Sequence, residues 1–272
     1  MGVGVKRPLK KAVFLLLGIV LTLAAICALL AAIWRSRPQP EPTEPTLPAP
    51  AANPFSEGDF VMENGRMRCL AMDAVTGIDV SNWQGQVDWQ QVKDAGIDFV
   101  MIRFARRGST EGGLYEDESA RRNYEGAKQA GLKVGGYFFS QAISPGEAEE
   151  EARFVLAMID GWQLDMPLVY DWEFTSSPAR TEQIDRRTVT DCALAFCRTV
   201  EKAGRQPMIY FNANPAVANL YLAELTDYPF WLAQYADTMD YPYRVDMWQY
   251  TDSGKIPGID ADVDLNLYFP YD

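Results

Sequence analysis

The stretch VYDWEF, residues 169–174, places two acids one residue apart within an otherwise apolar segment. Its β-branched and aromatic residues favour a strand, and the side chains of a strand alternate between two faces. Asp171 and Glu173 are therefore predicted to lie on one face, while Tyr170 and Trp172 pack on the other. No Lys or Arg flanks the two acids in the sequence. The pattern predicts two unpaired carboxylates that face one common space.

Strand-like runs alternate with helix-like runs on both sides of this segment. Five predicted strands are each followed by a helix, and these strands are 75–81, 99–104, 133–139, 167–173 and 207–212. The five helices are predicted at 88–96, 117–131, 144–160, 181–203 and 214–223. Three further strands follow with little room for helices, at 230–235, 245–250 and 262–269. Strands joined by helices are parallel and eight strands can close a barrel, so we predict an α/β fold, a modified TIM-like barrel of five β/α units followed by three strands.

Four acids fall at matching places in this predicted barrel, where chemistry gathers at the carboxyl ends of the strands. Asp79 ends the first strand, Asp171 and Glu173 end the fourth, and Asp264 lies in the last. Mutual repulsion would raise the pKa of at least one of them. A protonated carboxylic acid beside an ionised carboxylate is what cleavage of a glycosidic bond requires. The structural alternative is an ion pair with Arg103, the only base nearby in a predicted strand.

Composition excludes several kinds of function. The chain of 272 residues contains no histidine. This absence removes Ser-His-Asp and Cys-His nucleophilic sites and His-ligated zinc, so acid–base chemistry falls to carboxylates, Tyr, Lys or Cys. The net charge is −12, and residues 38–272 carry about −18 because six of the 25 basic residues precede them. An acidic body of this kind repels phosphates, and we predict no nucleic-acid partner. Neither a metal site nor a cofactor is predicted, because the cysteines and acids lack ligand spacing.

The N-terminal region predicts a membrane anchor. Residues 12–34 carry no charge, and as a helix they would extend roughly 34 Å, enough to cross a hydrocarbon core of about 30 Å. Bases are denser in the tail 1–11, which the positive-inside rule assigns to the cytoplasm. A cleaved signal peptide is the alternative, although its apolar core is usually shorter. Proline-rich residues 35–55 read as a semi-rigid linker, residues 56–74 as a lead-in segment, and residues 75–272 as the functional domain.

Several ordered motifs between residues 75 and 270 resemble glycoside hydrolase family 25 lysozymes. These motifs are GIDVSNWQGQVDW, GGYFFSQA, VYDWE, WLAQY and WQYTDSGKIPGIDADVDLN. The resemblance implies a barrel of five β/α units and three more strands. It also implies a muramidase that cleaves the β-1,4 bond between N-acetylmuramic acid and N-acetylglucosamine in peptidoglycan. With the predicted anchor, the protein would be a single-pass protein of the bacterial cell membrane whose catalytic domain lies outside.

The same resemblance implies roles for individual residues. Glu173 matches the general acid, and Asp171 matches the partner carboxylate, either a nucleophile or a stabiliser of an oxazolinium formed by the substrate's acetamido group. Asp79 and Asp264 match the remaining acids of the family's site. The family suggests retention of configuration with acetamido assistance, whereas the spacing of the two acids on one strand is compatible with more than one outcome.

Three polar residues are predicted to contact the sugar. Tyr137 and Tyr210 lie on the third and fifth strands, where the family places tyrosines in the cleft, although core packing is an alternative for both. Gln234 ends a strand and could bind a sugar hydroxyl. One departure is that many relatives carry a histidine after the third-strand tyrosine, where this chain has Phe138 and Phe139.

Two other functions compete with the muramidase interpretation. A chitinase-like barrel would carry the acid series D-x-x-D-x-D-x-E on one strand, but Met166 and Val169 occupy two of its positions. A wall-binding module that has lost catalysis is the second alternative, which the presence of all four acids disfavours.

Overall fold

The computed structural model of the protein describes residues 50–175, 177–213 and 220–271. The predicted tail 1–11, the predicted membrane span 12–34 and residues 35–49 of the predicted linker lie outside these ranges. None of the helices within them has both the length and the apolar character that crossing a bilayer demands. The predicted span therefore stays a prediction.

The described residues form eleven strands and four α-helices. The strands are β1 (Phe60–Glu63), β2 (Arg66–Cys69), β3 (Val75–Val80), β4 (Phe99–Arg107), β5 (Leu114–Glu116), β6 (Lys133–Ser140), β7 (Leu168–Trp172), β8 (Pro207–Asn212), β9 (Phe230–Ala233), β10 (Met247–Gly254) and β11 (Val263–Tyr268). The helices are α1 (Trp89–Asp94), α2 (Ala120–Gln129), α3 (Pro145–Met158) and α4 (Arg186–Lys202).

Eight of the strands close into a barrel, as the sequence predicts. Around the ring the order is β3, β11, β10, β9, β8, β7, β6 and β4, and β4 pairs with β3 again. Seven strands run parallel, but β11 is antiparallel to both of its neighbours. The connection from β10 to β11 contains no helix, so the chain turns directly back along the adjacent strand. Of the fifth predicted helix, residues 214–219 lie outside the described residues.

Alternation of side chains divides the apolar residues into two groups. The barrel interior is filled mainly by aromatic and methionine side chains, which include Phe99, Met101, Met208, Tyr210, Trp231 and Met247, together with Val169. The larger second group packs between the barrel and the helices, and there Tyr170 contacts Phe196 of α4 with ring centroids 5.2 Å apart. Two adjacent glycines in β6 leave room for large side chains on both faces of the sheet. A Cβ on Gly135 would lie 2.7 Å from Met101 inside, and one on Gly136 would overlap Phe104 outside.

The start of α3 has an N-cap serine but not a complete capping box. Ser144 is the N-cap, its hydroxyl accepts the N–H of Glu147 at 3.4 Å, and Pro145 occupies the first turn. The Glu147 carboxylate accepts the N–H of Ile143 at 2.9 Å instead of completing a reciprocal box with Ser144. Its other oxygen is thereby free to accept from Arg180 at 2.7 Å. This pair ties the loop after β7 to helix α3.

Residues before β3 pack against the amino end of the barrel strands. Strands β1 and β2 form an antiparallel hairpin that buries Phe60 and Met67 in the outer core. Asn53 donates from its side-chain amide to the carbonyl oxygen of Tyr241 at 2.9 Å. Phe55 stacks near Phe269, just beyond β11, with centroids 4.7 Å apart. The packed unit therefore includes the predicted lead-in segment and the end of the predicted linker.

This packing generates a test of the domain's start. In the protein shortened to residues 50–272, we expect Phe60→Ala to lower the free energy of unfolding by about 3 kcal/mol, because a buried ring is lost. Met62→Ala is the matched control on the same strand, where 44% of the side chain is exposed, and it should change stability by less than about 0.5 kcal/mol. Urea unfolding measures both. Equal stabilities of the two variants would contradict the role of the hairpin.

Candidate active site

A polar cavity of about 270 Å³ opens at the carboxyl end of the parallel strands. Asp79, Asp171, Glu173 and Asp264 all line it, so the structure brings together the four acids that the sequence singled out. A second cavity, of about 490 Å³, lies under the β1–β2 hairpin at the opposite end of the barrel and contains none of the four. Parallel barrels gather functional groups at the carboxyl end, which favours the smaller cavity as the site.

Asp171 and Glu173 differ in how deeply they lie. Asp171 is on β7 and only 4% exposed, whereas Glu173 follows the last residue of that strand and is partly exposed at the cavity. The Oδ1 atom of Asp171 is buried and receives no hydrogen bond from the described part of the chain. Asp171 is thus the deeper of the two acids and Glu173 the shallower, nearer the opening, and their side chains share a hydrogen bond.

Asp79 and Asp264 lie side by side on neighbouring strands of the barrel. They are directly paired in the register of β3 and β11. Asp79 is 6% exposed, and its Oδ2 accepts hydrogen bonds from the side-chain amides of Gln249 and Asn266, each at 2.8 Å. These neutral donors stabilise an ionised Asp79 without a positive charge in the cavity.

Arg103 lines the cavity but is bonded to groups on its edge. Its Nε lies 2.9 Å and its Nη2 2.8 Å from Oδ2 of Asp117, and Nη2 also donates to Asn82 at 2.6 Å. Asp117 is buried, so this ion pair is shielded from water. The predicted alternative, in which Arg103 neutralises the β7 acids by direct contact, is absent from the described residues. Arg103 is also the single Lys or Arg in the described cavity lining.

Burial and repulsion raise the pKa values of all four acids. Burial is the largest cause for each, and it raises the pKa of Asp79 to about 6. Burial and the neighbouring Asp79 charge raise the pKa of Asp264 to about 8. Burial and then the charges of Glu173 and Asp79 hold the pKa of Asp171 well above its usual range. The pKa of Glu173 is raised by burial and by the Asp264 charge. Near neutral pH the cluster therefore holds protons as well as negative charge.

The predicted sugar-contacting residues divide into two that line the cavity and one that does not. Tyr137 is partly exposed there, and Tyr210 lies at its floor and donates from its hydroxyl to Gln249 at 3.2 Å. Gln234 does not line the cavity, and its side-chain amide donates to Asp240. The alternation of β9 explains this difference, because positions 231 and 233 face inward and position 234 faces outward. The next inward position is Tyr235, which lines the cavity and is half exposed.

Several residues that line the cavity, and Asn266 buried behind it, were not predicted from the sequence. Gln249 and Asn266 sit on the inward positions of β10 and β11, and the same period-2 alternation that located the acids could have identified them. Trp231 is only 2% exposed, yet it lines the cavity and donates to Asn266 at 2.9 Å. Trp83 projects at the rim with 79% of its surface exposed. No local pattern marks that position as a rim position.

The residue that replaces the family's usual histidine lies behind the cavity wall. Phe138 is fully buried in the outer core, where its ring centroid is 6.2 Å from that of Phe196. Phe139, the next inward residue, lines the cavity instead. The departure therefore changes packing between β6 and α4 and leaves the four acids in place. Among the described residues, no cluster of acids or cysteines has the arrangement of a metal site.

Comparison with known proteins agrees with the fold and the family resemblance. The pattern described as Glycosyl hydrolases family 25 matches residues 78–259. Uncharacterized protein YegX of Escherichia coli (strain K12) is 33% identical over 208 residues, which are 74% of this chain and 72% of that protein. Lysozyme M1 of Streptomyces globisporus is 31% identical over 205 residues, 71% of this chain and 67% of that protein.

A solved structure shows the same fold. The modular autolysin LytC from Streptococcus pneumoniae superimposes with a TM-score of 0.65 at 24% identity, over 77% of this chain and 52% of that one. The chain thus spans about half the length of that modular protein, and the likeness concerns the fold alone.

The raised pKa values predict how stability depends on pH. The folded protein keeps protons on Asp79 and Asp264 that the unfolded chain releases above about pH 4, so unfolding becomes more favourable as pH rises. The free energy of unfolding should therefore fall between about pH 4 and pH 8. Asp264→Asn should reduce this fall and raise Tm at pH 8 by several degrees. Thermal unfolding across pH measures both.

Asp262→Asn is the matched control, because that carboxylate is exposed two residues away and pairs with Lys255. Its pH dependence should equal that of the wild type. A wild-type Tm that rises steadily from pH 4 to pH 8 would contradict the role of buried acids at this site.

Proposed function

The chain belongs to glycosyl hydrolases family 25 and is a glycoside hydrolase of the lysozyme type, and we propose that it cleaves the β-1,4 bond between N-acetylmuramic acid and N-acetylglucosamine in peptidoglycan. The observation that carries this proposal is the set of four acids in one cavity, two of them buried and two partly buried, with no base bonded to any of them among the described residues. The negative charge of the body also fits a glycan substrate better than a nucleic acid.

Glu173 is the proposed general acid, which protonates the leaving oxygen of the glycosidic bond. Its position after the end of β7 brings its carboxyl group to the opening, where a polymeric substrate can reach it. Its raised pKa favours the protonated form that a general acid needs at the start of the reaction. Asp264 supports this state because the two acids repel each other when both are ionised, which opposes the loss of the Glu173 proton.

Asp171 is the proposed partner carboxylate. Its buried Oδ1 lacks a donor from the described residues, so it can accept the N–H of the substrate's acetamido group. That contact would orient the acetamido oxygen toward the anomeric carbon and stabilise the positive charge of an oxazolinium. Retention of configuration with acetamido assistance is therefore part of the proposal. Asp79 is proposed to tune the pair through its charge, held ionised by Gln249 and Asn266.

Aromatic residues line the proposed sugar path. Tyr137 and Tyr210 are proposed to contact the sugar bound over the acids, since both reach the cavity. Trp83 and Tyr235, which are exposed at the cavity, add flat apolar surfaces of the kind that pack against sugar rings. The cavity itself holds only part of a glycan, so the polymer would extend across this rim.

Removing the proposed acid tests the mechanism. Glu173→Gln should lower the release of dye from labelled, purified peptidoglycan by at least about 100-fold, because the amide cannot protonate the leaving oxygen. Glu149→Gln, on the exposed face of α3, is the matched control and should keep wild-type activity. Mass spectrometry of the reduced products should identify N-acetylmuramic acid at the new ends.

The same experiment separates a catalyst from a wall-binding module. If the domain is only a binding module, wild type and Glu173→Gln will both be retained on peptidoglycan, and neither will release products. That result would reject the enzymatic proposal. Products from the wild type together with binding but little cleavage by the variant would support it.

We also propose that residues 12–34 anchor the domain in the bacterial cell membrane, with the basic tail in the cytoplasm and the barrel outside. Support comes from the uncharged length of this segment and from the bases clustered before it. The proline-rich stretch that follows would act as a semi-rigid spacer between membrane and domain.

Fractionation tests the anchor. The full chain should remain with membranes after washing with salt and carbonate and should dissolve in detergent, whereas residues 50–272 should remain in the soluble fraction. Intact-mass measurement of the membrane form should give the full-length mass. A smaller mass that corresponds to a chain beginning after residue 34 would instead indicate a cleaved signal peptide and reject the anchor.

A further inference from the structure

The backbone of Glu173 is held by a side chain instead of the sheet. Pairing between β6 and β7 ends at Ser140 and Trp172, one residue before the proposed acid. Beyond that pair, the side-chain amide of Gln141 donates to the carbonyl oxygen of Glu173 at 2.8 Å. The same nitrogen donates to the carbonyl oxygen of Ser140 at 2.8 Å. The glutamine thus continues the contact between the two strands after their backbones separate.

The other end of the Gln141 amide holds the loop that follows Glu173. Its Oε1 accepts the hydroxyl of Thr175 at 3.2 Å and the hydroxyl of Thr181 at 3.0 Å. Gln141 is fully buried, and its amide uses both donors and accepts two hydrogen bonds. Rotating the amide would place its oxygen against two carbonyl oxygens, so this arrangement admits one orientation.

Charged groups fix the far side of the same loop. Arg180 donates to Glu147 of α3 at 2.7 Å and to the carbonyl oxygen of Gln141 at 3.4 Å. The backbone N–H of Arg180 donates to the carbonyl oxygen of Ser109 at 2.8 Å. The loop from Glu173 to Thr181 is therefore attached to α3, to the end of β6 and to the segment after β4.

We propose that Gln141 is a positioning residue that sets where the Glu173 carboxyl group stands in the cavity. This inference rests on the proposed function of Glu173 as the general acid. Gln141 does not line the cavity, so it acts through the main chain of residue 173 and not by touching the substrate. Displacement of a catalytic group by about 1 Å can lower a rate by about 100-fold, which makes this hydrogen bond relevant to turnover.

The test compares Gln141→Met, Thr181→Val and Thr190→Val in the full-length protein. Gln141→Met keeps the length of the side chain and removes its four hydrogen bonds. Thr181→Val removes one of the four. Thr190→Val is the matched control, because Thr190 is equally buried and hydrogen-bonded but lies on α4 and bonds to Arg186 and Tyr221. Rates are divided by the folded fraction measured from circular dichroism.

Gln141→Met should lower kcat by about 10- to 100-fold and leave KM within about twofold, because the binding surface is unchanged. The alkaline limb of its pH–rate profile should move to lower pH, since a displaced Glu173 gains water and loses protons more readily. Thr181→Val should show the same changes to a smaller extent. Thr190→Val should show neither. Side-chain ¹³C NMR should report a lower pKa for Glu173 in Gln141→Met than in the wild type.

Wild-type kcat, pH profile and Glu173 pKa in Gln141→Met would overturn the inference. A loss of activity that merely follows the folded fraction, with an unmoved pH profile, would overturn it too. If Gln141→Met does not fold, Thr181→Val decides by the same measurements. If wild type and Glu173→Gln are both inert on peptidoglycan, the proposed function fails, and the NMR comparison still determines whether Gln141 positions residue 173.

Discussion

Burial of four carboxylates in one cavity is the constraint on which the rest of the domain depends. Removing ionised acids from water is costly unless they are paired, hydrogen-bonded or protonated. Here amides from Gln249 and Asn266 support Asp79, and the other three acids share protons among themselves because burial and repulsion disfavour the ionisation of all of them together. A closed ring of strands can hold such a cluster, because the ladder hydrogen bonds and two apolar layers fix the backbone beneath it. The same closure prevents the acids from moving apart to reach water.

Two arginines of β4 show why no base pairs with the acids of the cavity. Arg103 is held by the buried Asp117. Arg107 is held by the fully buried Glu151 at 2.7 Å and by Glu150 at 2.8 Å. Each guanidinium thus has an acid of its own outside the cluster, and turning either one toward the cavity would leave a buried charge unpaired, which costs several kcal/mol. The acids of the site stay without direct partners because the local bases are already bonded.

Much of the barrel and its acids could be predicted from the sequence, because strand alternation and strand–helix rhythm are local properties. The same alternation, applied to β9, favours Tyr235 over Gln234 as an inward residue. Other features depend on contacts between distant segments. The β1–β2 hairpin joins the core through Phe60 and Met67, and Gln141 meets Glu173 across 32 positions of the chain. No periodicity within a short window reports such contacts, and the antiparallel direction of β11 likewise follows from the path of its connection.

The place where the chain enters the barrel has a mechanical consequence. Asn53 contacts Tyr241 in the connection between β9 and β10, and Phe55 contacts Phe269 at the amino end of the parallel strands, which is the end opposite the acids. Tension on the preceding chain would therefore pass into this end of the barrel and along the strands, without bending the loops around the cavity.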